Sequence, residues 1–398
     1  MTAVESIGKK TVRDIEVRGM RVLVRADLNV PLEDGAVGDD TRIRESLPTI
    51  RYLLERDARV IVCSHLGRPK GPDPSLSLAP VAVRLGDLLG VPVAFAADCV
   101  GATAGEAVAR LQPGNVLLLE NLRFHPEEEK NGADFAAALA SLADVFVNDA
   151  FGAAHRAHAS TEGVTHHRPA VAGFLMEKEV LYLSALVASP PRPFAAVIGG
   201  AKVSTKIAAI EHLLPKLDIL ILGGGMANTF LQARGVNVQG SLVEDEQVEV
   251  ARRVIAESAR RDIEVHLPGD VVAASAFAEQ AEARTCPVDE VPPGWMILDI
   301  GPESVRVFAA ALGRARAVVW NGPMGVFEWE AFAGGSFGLA RAIAALNATT
   351  VVGGGETAAV VAAAGLNERF THVSTGGGAS LEMLEGRVLP GVAALLDA

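Results

Sequence analysis

In the first half of the chain, a set of basic and imidazole side chains sits just after apolar runs. Arg42 lies in Asp40-Thr-Arg-Ile-Arg44, His65 and Arg68 in Ser64-His-Leu-Gly-Arg-Pro69, Arg123 in Glu120-Asn-Leu-Arg-Phe124, and His155, Arg156 and His158 in His155-Arg-Ala-His-Ala-Ser160. Any one of them is ordinarily a solvated arginine or a structural histidine. Four loops bringing the same charge to one rim point instead to a pocket for an anion, which a planar guanidinium binds through two parallel hydrogen bonds. A second group lies at mid-chain, in Phe194-Ala-Ala-Val-Ile-Gly-Gly-Ala-Lys-Val-Ser-Thr-Lys-Ile207. Its apolar run reads as a buried strand, Gly199 and Gly200 as the turn after it, and Ser204 onward as helix. Glycine lets a ligand approach the backbone, and a helix N-terminus offers free N–H groups and partial positive charge. Lys202 and Lys206 would then share a helical face. The expected ligand is a polyphosphate; the plainer alternative is two solvated lysines on a surface helix.

These residues need elements to hold them. With 398 residues the chain exceeds the size of one hydrophobic core, so two domains are expected. A net charge of −12 argues against the broad basic surface of a nucleic-acid binder, so any anion site is a local concentration of positive charge. Three cysteines, Cys63, Cys99 and Cys286, lie far apart without metal-ligand spacing and read as reduced, buried thiols. The stretch Met1–Lys10 lacks a signal peptide's apolar core and no apolar run is long enough to span a membrane, which gives a cytoplasmic expectation.

Val22–Val30 reads as the first strand, with Asp27 and Asn29 on one face at its carboxyl end and Pro31 ending it. A helix capped by Asp or Thr follows through Tyr52. Val60–Cys63, Val116–Leu119 and Val145–Val147 read as further strands, with helical segments such as Leu78–Leu89 and Ala133–Leu142 between them. That alternation is a parallel sheet covered on both faces, where ligands bind outside the carboxyl ends of the strands. Gly173–Leu186 reads as an amphipathic helix broken by Ser189-Pro-Pro-Arg-Pro193, the best linker between two lobes. Beyond it the strand-then-glycine pattern repeats at Gly223-Gly-Gly-Met-Ala-Asn228, Gly301-Pro302, Asn321-Gly-Pro-Met-Gly325, Gly353-Gly-Gly-Glu-Thr357 and Thr375-Gly-Gly-Gly-Ala379. The expected class is α/β, with two doubly wound, Rossmann-like parallel-sheet lobes and a bare-backbone rim on the second, suited to a nucleotide. No P-loop motif occurs. Gly353-Gly-Gly-Glu-Thr-Ala358 fits a dinucleotide fingerprint, but the next strand ends without the acidic residue that would hold an NAD ribose. Glu328 is a candidate for ribose hydroxyls, or else a surface carboxylate.

Taken together, Asp27-Leu-Asn-Val-Pro31, Ser64–Pro69, Glu120–Phe124, His155–Ser160, Gly199–Lys206, Trp320-Asn-Gly-Pro323 and Ser374-Thr-Gly-Gly-Gly-Ala-Ser380 resemble the phosphoglycerate kinase family in type and order. The resemblance implies a glycolytic phosphotransferase with a carboxyl group as acceptor, moving a phosphoryl group reversibly between ATP and 3-phosphoglycerate to give ADP and 1,3-bisphosphoglycerate. It implies that Asp27, Asn29, Arg42, His65, Arg68, Arg123 and Arg156 bind 3-phosphoglycerate. It places the nucleotide on Lys206, Gly223, Gly224, Asn321, Pro323, Glu328, Gly353, Gly354, Gly355, Glu356 and Thr357. Arg42, Lys202, Gly376 and Gly377 would then face the transferring group. It also implies residues 1–172 as the substrate lobe, 173–193 as hinge helix and linker, 194–384 as the nucleotide lobe, 385–398 as a segment returning to the first lobe, and a monomer. One departure concerns Mg²⁺: the family usually has Asp where this chain has Glu356, whose carboxylate reaches a methylene further toward an ion that demands near-octahedral geometry. A second is Glu303, where lysine is more usual.

The chemistry stands on its own terms. The attacking carboxylate of 3-phosphoglycerate is already ionised at neutral pH, since carboxyl pKa values lie near ~4, so no general base is needed. What remains is positioning and neutralisation of charge, and hinge closure to keep water from the phosphoryl group. Two other readings stay open on the sequence: a nucleotide-dependent oxidoreductase built on Gly353–Ala358, and a metabolite-binding protein that has lost catalysis through Glu356.

Overall fold

The computed structural model describes residues 7–398, so the reading of the extreme N-terminus falls partly on residues 1–6, outside the described residues. The chain divides into two compact units, one running up to Leu181 and including Val388–Ala398, the other Tyr182–Arg387. Both units are α/β.

The first unit is built on six parallel strands in the order Val93–Ala96, Val116–Leu119, Arg59–Cys63, Arg21–Ala26, Val145–Asp149, Ala170–Ala172. Val22, Val24, Val60, Val62 and Leu118 of the central strands pack with Ile43, Leu47 and Ile50 of the helix Thr41–Leu54 and with Leu85 of the helix Ala79–Leu89. Burial on both faces is why these strands read as continuous apolar runs. The first strand stops at Ala26, not Val30: Asp27 accepts from Asn29 N at 3.3 Å and Leu28 O from Val30 N at 2.9 Å, which curls the chain out of the sheet. The short strands Val93–Ala96 and Ala170–Ala172 at the two sheet edges carried no clear sequence signal.

The second unit holds a six-stranded parallel sheet in the order Glu264–His266, Ile219–Leu222, Phe194–Ile198, Ala317–Asn321, Thr349–Gly353, His372–Val373. Met296–Ile300, expected in this sheet, instead joins Asp270–Ala274 and Ala283–Pro287 in a separate antiparallel sheet. The connection from Asp270–Ala274 to Ala283–Pro287, residues 275–282, is shorter than the crossover that a parallel pair requires, so these two strands form a hairpin.

The boundary between the units falls inside the helix Phe174–Ala188, after Leu181. Asp149, at the end of its strand, caps the start of this helix: Oδ1 accepts from Leu175 N at 2.9 Å and Met176 N at 3.2 Å. A Cβ on Gly173 would lie 2.2 Å from the same oxygen, so only glycine fits there. At the other end of the chain, Leu396 O accepts from Lys10 N at 2.8 Å and Asn148 Nδ2 donates to Gly391 O at 3.1 Å, which fixes Val388–Ala398 to the first unit.

Burial pushes the Asp149 carboxyl up to about 6, against hydrogen bonds from Thr49, Met176 and Leu175 that favour the ionised form. A carboxyl whose folded pKa is raised favours folding while protonated, and that contribution is lost as pH rises through the folded value. Relative to Asp149→Asn, which keeps the accepting oxygen, the wild type should therefore lose about 1 kcal/mol of stability between pH 5 and pH 7. Denaturant midpoints of both proteins at the two pH values check this; parallel midpoints would contradict it.

Candidate functional site

The carboxyl ends of the first unit's strands carry a polar rim. Arg42 reaches from the first turn of its helix to Asp27, with Nη1 at 3.1 Å from both carboxylate oxygens. Burial opposes the charge on Asp27, but Arg42, His65 and Arg25 outweigh it and hold the carboxyl below its ordinary range. Asn29 Oδ1 accepts from Gly67 N at 2.8 Å, and Arg123 Nη1 donates to Gly67 O at 2.7 Å. The loops at 66 and 123 are joined by Asn121, whose side chain bonds Leu66 N, Leu66 O, Leu76 O and Arg123 N at 2.8–3.2 Å. Arg156 Nε donates to His155 Nε2 at 3.0 Å, which leaves the rest of its guanidinium fork for other acceptors. Arg68 is exposed. Arg68, Arg123 and Arg156 each follow a strand of this one sheet, and Arg42 stands in the first turn of the helix Thr41–Leu54.

The histidines behave differently from expectation. His65 is buried, and burial together with Arg25 pushes its pKa well below the ordinary value; His158, also buried, is pushed down to about 4 by burial and the neighbouring arginines. Both are neutral at pH 7, so positive charge on this rim comes from arginine. Arg25 Nη2 lies 3.0 Å from His65 Nδ1. Arginine only donates, so Nδ1 is the acceptor and His65 carries its proton on Nε2 as a neutral donor.

Arg25 itself escaped the sequence reading. It is 1% exposed and also donates to Ser160 Oγ at 2.9 Å and to Ala26 O at 2.5 Å. Ser160 in turn donates to the buried Glu128, through Oγ at 2.5 Å and N at 2.9 Å. This buried layer lies directly under the rim and sets the orientation of His65. Its signal in the sequence was a lone arginine within an otherwise apolar strand.

In the second unit, three glycine turns at the ends of adjacent strands are locked together by backbone hydrogen bonds. Gly199 N donates to Asn321 O, Gly200 N to Pro323 O, Gly224 N to Met324 O and Met226 N to Gly200 O, all at 2.9–3.0 Å. Gly322 N donates to Thr357 Oγ1 at 2.7 Å, which ties in the turn at 354. Space forces the glycines: Gly322 has φ +98°, and a Cβ there would lie 2.2 Å from Gly199 O. The result is a preorganised rim of bare backbone.

Lys202 and Lys206 do not share a helical face, because the helix begins only at Ile207. The residues between form a turn in which Lys206 N and Ile207 N both donate to Val203 O, and Glu244 accepts from Ser204 N and Oγ at 3.0 and 2.6 Å. The two lysines consequently differ. Lys206 is half-buried and bonded to Asn321 Oδ1; burial lowers its pKa while Glu356 and Glu385 oppose the shift. Lys202 is exposed. Asn321 Nδ2 is buried without a partner and lies 3.2 Å from a Cβ position at Gly353 and at Gly354. At the last glycine turn, Gly376 N donates to Ser374 Oγ at 3.0 Å, so that donor is already engaged, while Gly377 has φ +52° and precedes the helix Gly378–Leu384.

A cavity of about 550 Å³ adjoins this rim. One side is bare backbone at Gly200, Gly224 and Gly225, the other is apolar with Leu242, Phe277, Leu298 and Trp329, and Glu328 and Glu356 stand at its wall. Such a slot accepts a flat heterocycle beside a chain of phosphates. Glu356 lies in the first turn of the helix Gly355–Ala363, exposed and close enough to Lys206 to bias its protonation. One exposed carboxylate beside a phosphate-sized rim fits Mg²⁺, which takes one or two carboxylates and fills its shell with substrate oxygens and water. Glu303 is remote in role: it pairs with Arg306 on the exposed face of the helix Pro302–Leu312.

Comparisons with known proteins agree with one another. The model of the phosphoglycerate kinase family matches residues 12–387. The phosphoglycerate kinase of Pelotomaculum thermopropionicum is 60% identical over 392 residues, covering 98% of this chain and 100% of that protein. The cytosolic phosphoglycerate kinase of Triticum aestivum is 54% identical over 403 residues, with both chains fully covered. Among solved structures, phosphoglycerate kinase from Coxiella burnetii superimposes with a TM-score of 0.87 at 41% identity, covering 97% of this chain and 98% of that one.

Proposed function

Since the chain belongs to the phosphoglycerate kinase family, whose glycolytic reaction transfers a phosphoryl group between ATP and 3-phosphoglycerate, we propose that its two rims divide that reaction between them. The arginine rim of the first unit takes 3-phosphoglycerate: Arg68, Arg123 and Arg156 on the phosphate, neutral His65 as a donor, Asp27 and Asn29 on the hydroxyl and carboxyl end. The glycine rim of the second unit takes the nucleotide, its base in the apolar slot, Glu328 on the ribose, and Lys206, Asn321 and the turn at Gly353–Thr357 at the phosphates. The observation that carries this division is the chemical contrast between the rims, fixed guanidinium forks on one and interlocked bare backbone on the other.

Mg²⁺ would be held by Glu356 together with nucleotide oxygens, where it supplies positive charge to the phosphates. Lys202 and Arg42 neutralise the equatorial oxygens of the group in flight, and the N–H of Gly377 assists them. The 3-phosphoglycerate carboxylate attacks without a base, so the protein contributes position and charge. Closure about the connecting helix brings the two ligands in line and excludes water. The enzyme acts as a cytoplasmic monomer on small molecules, with neither nucleic acid nor membrane as partner.

Arg68 supplies a clean test, being exposed and absent from every hydrogen bond and ion pair described above. Arg68→Ala should weaken 3-phosphoglycerate binding by roughly 10-fold, the worth of one charge-assisted hydrogen bond, with ADP binding and thermal stability unchanged. Calorimetric titration with each ligand separates the cases. Equal affinity for 3-phosphoglycerate before and after the change would remove Arg68 from the site.

A further inference from the structure

At the edge of the first unit's sheet, beyond Arg123, Asp98, Cys99 and His125 bring a carboxylate oxygen, a thiol sulfur and an imidazole nitrogen within 4.8 Å of one another. We propose that this triad is a binding site for a thiophilic divalent cation of the Zn²⁺ class.

The three groups come from two segments of the first unit. Asp98 and Cys99 follow the strand Val93–Ala96 and precede the helix Gly101–Arg110; His125 follows the turn Leu122–Phe124. Each is held in place. Asp98 Oδ1 accepts from Cys99 N at 2.7 Å and Val100 N at 3.4 Å, which fixes the carboxylate over the turn. The His125 ring packs on Phe135 with centroids 5.3 Å apart, and its Nε2 lies 2.8 Å from Asp98 Oδ1. Cys99 is 1% exposed beneath them, whereas the side chains of His125 and Asp98 are 31% and 40% exposed. An ion can therefore enter from solvent and meet the sulfur at the floor.

The donor set decides the class of ion. Sulfur and imidazole favour Zn²⁺ over Mg²⁺, which prefers oxygen alone. Tetrahedral bonds of about 2.0 Å to nitrogen and oxygen and about 2.3 Å to sulfur put ligand atoms roughly 3.3–3.8 Å apart; His125 Nε2 and Asp98 Oδ1, at 2.8 Å, need only separate slightly, and no pair of the triad starts more than 4.8 Å apart. On binding, the thiol proton leaves to solvent, the Nε2 proton that faces Asp98 is given up to solvent with the ring keeping its proton on Nδ1, which frees the Nε2 lone pair, and a water or anion completes the fourth position. Cys63 and Cys286 belong to no such group among the described residues. The ion would clamp the loop at 98 to the turn that carries Arg123.

The test is titration of the reduced full-length protein with Co²⁺ in the presence of excess Mg²⁺, followed by absorption. One equivalent should give a near-ultraviolet thiolate-to-cobalt band with intense visible tetrahedral bands, displaced by Zn²⁺. Cys99→Ser should abolish the thiolate band, His125→Gln should weaken Co²⁺ binding at least 10-fold, and Cys63→Ser and Cys286→Ser should leave both intact. His125→Gln changes a half-exposed side chain and keeps the test open should Cys99→Ser not fold. Absence of the band in the wild type, its survival in Cys99→Ser, or undiminished affinity in His125→Gln would each overturn the site.

Discussion

Lys202→Ala should lower kcat by about 10²- to 10³-fold while the dissociation constants of ADP and 3-phosphoglycerate stay within roughly twofold. Lys206 is half-buried and bonded to Asn321, so its charge already serves a fixed partner. Lys202 is exposed, and the contact that anchors its residue is made by the backbone, with Thr205 Oγ1 donating to Lys202 O at 2.9 Å. Removing the ammonium costs the fold little. On the proposed mechanism its charge acts when negative charge spreads over the transferring phosphoryl oxygens, so the loss falls on turnover and not on binding. Wild-type turnover in the variant would exclude Lys202, and a matching loss of ADP affinity would give it the binding role proposed for Lys206.

Glu356→Gln should raise the Mg²⁺ concentration needed for half-maximal ADP binding by about 10- to 100-fold, and Glu356→Asp should shift it by less. The glutamine keeps shape and reach but removes the carboxylate charge; the aspartate keeps the charge but draws it back by one methylene. Both variants leave the helix Gly355–Ala363 intact, because Glu356 is exposed in its first turn and Thr357 supplies the bond to Gly322 N. ADP binding is followed directly as Mg²⁺ is varied, so the readout does not depend on catalysis. Superimposable metal titrations for all three proteins would place the ion elsewhere.

How far the sequence reached differs by residue, for physical reasons. Arg42 stood out because it opens the helix that follows the first strand, and Arg68, Arg123 and Arg156 because charge placed soon after an apolar strand breaks a strong pattern. The glycine turns at 199, 223, 322 and 354 were legible for the same reason. Arg25 was not, because it lies inside a strand, where one charged residue among apolar neighbours looks like an accident until Ser160 and His65 are seen around it. The charge states of His65 and His158 depend on burial and on arginines distant in sequence, neither of which spacing reveals. Nor does spacing reveal that three strands between Asp270 and Ile300 pair antiparallel, or that Lys202 and Lys206 occupy a turn fastened by Glu244 from 40 residues away.

The central claim, that two chemically different rims share one phosphoryl transfer, is tested most directly by the initial rate of ADP formation with ATP, 3-phosphoglycerate and Mg²⁺ each omitted in turn. The account predicts turnover that requires all three, with negligible ADP released when 3-phosphoglycerate is absent. ADP formed at the same rate without 3-phosphoglycerate, or no ADP formed although both ligands bind, would contradict it.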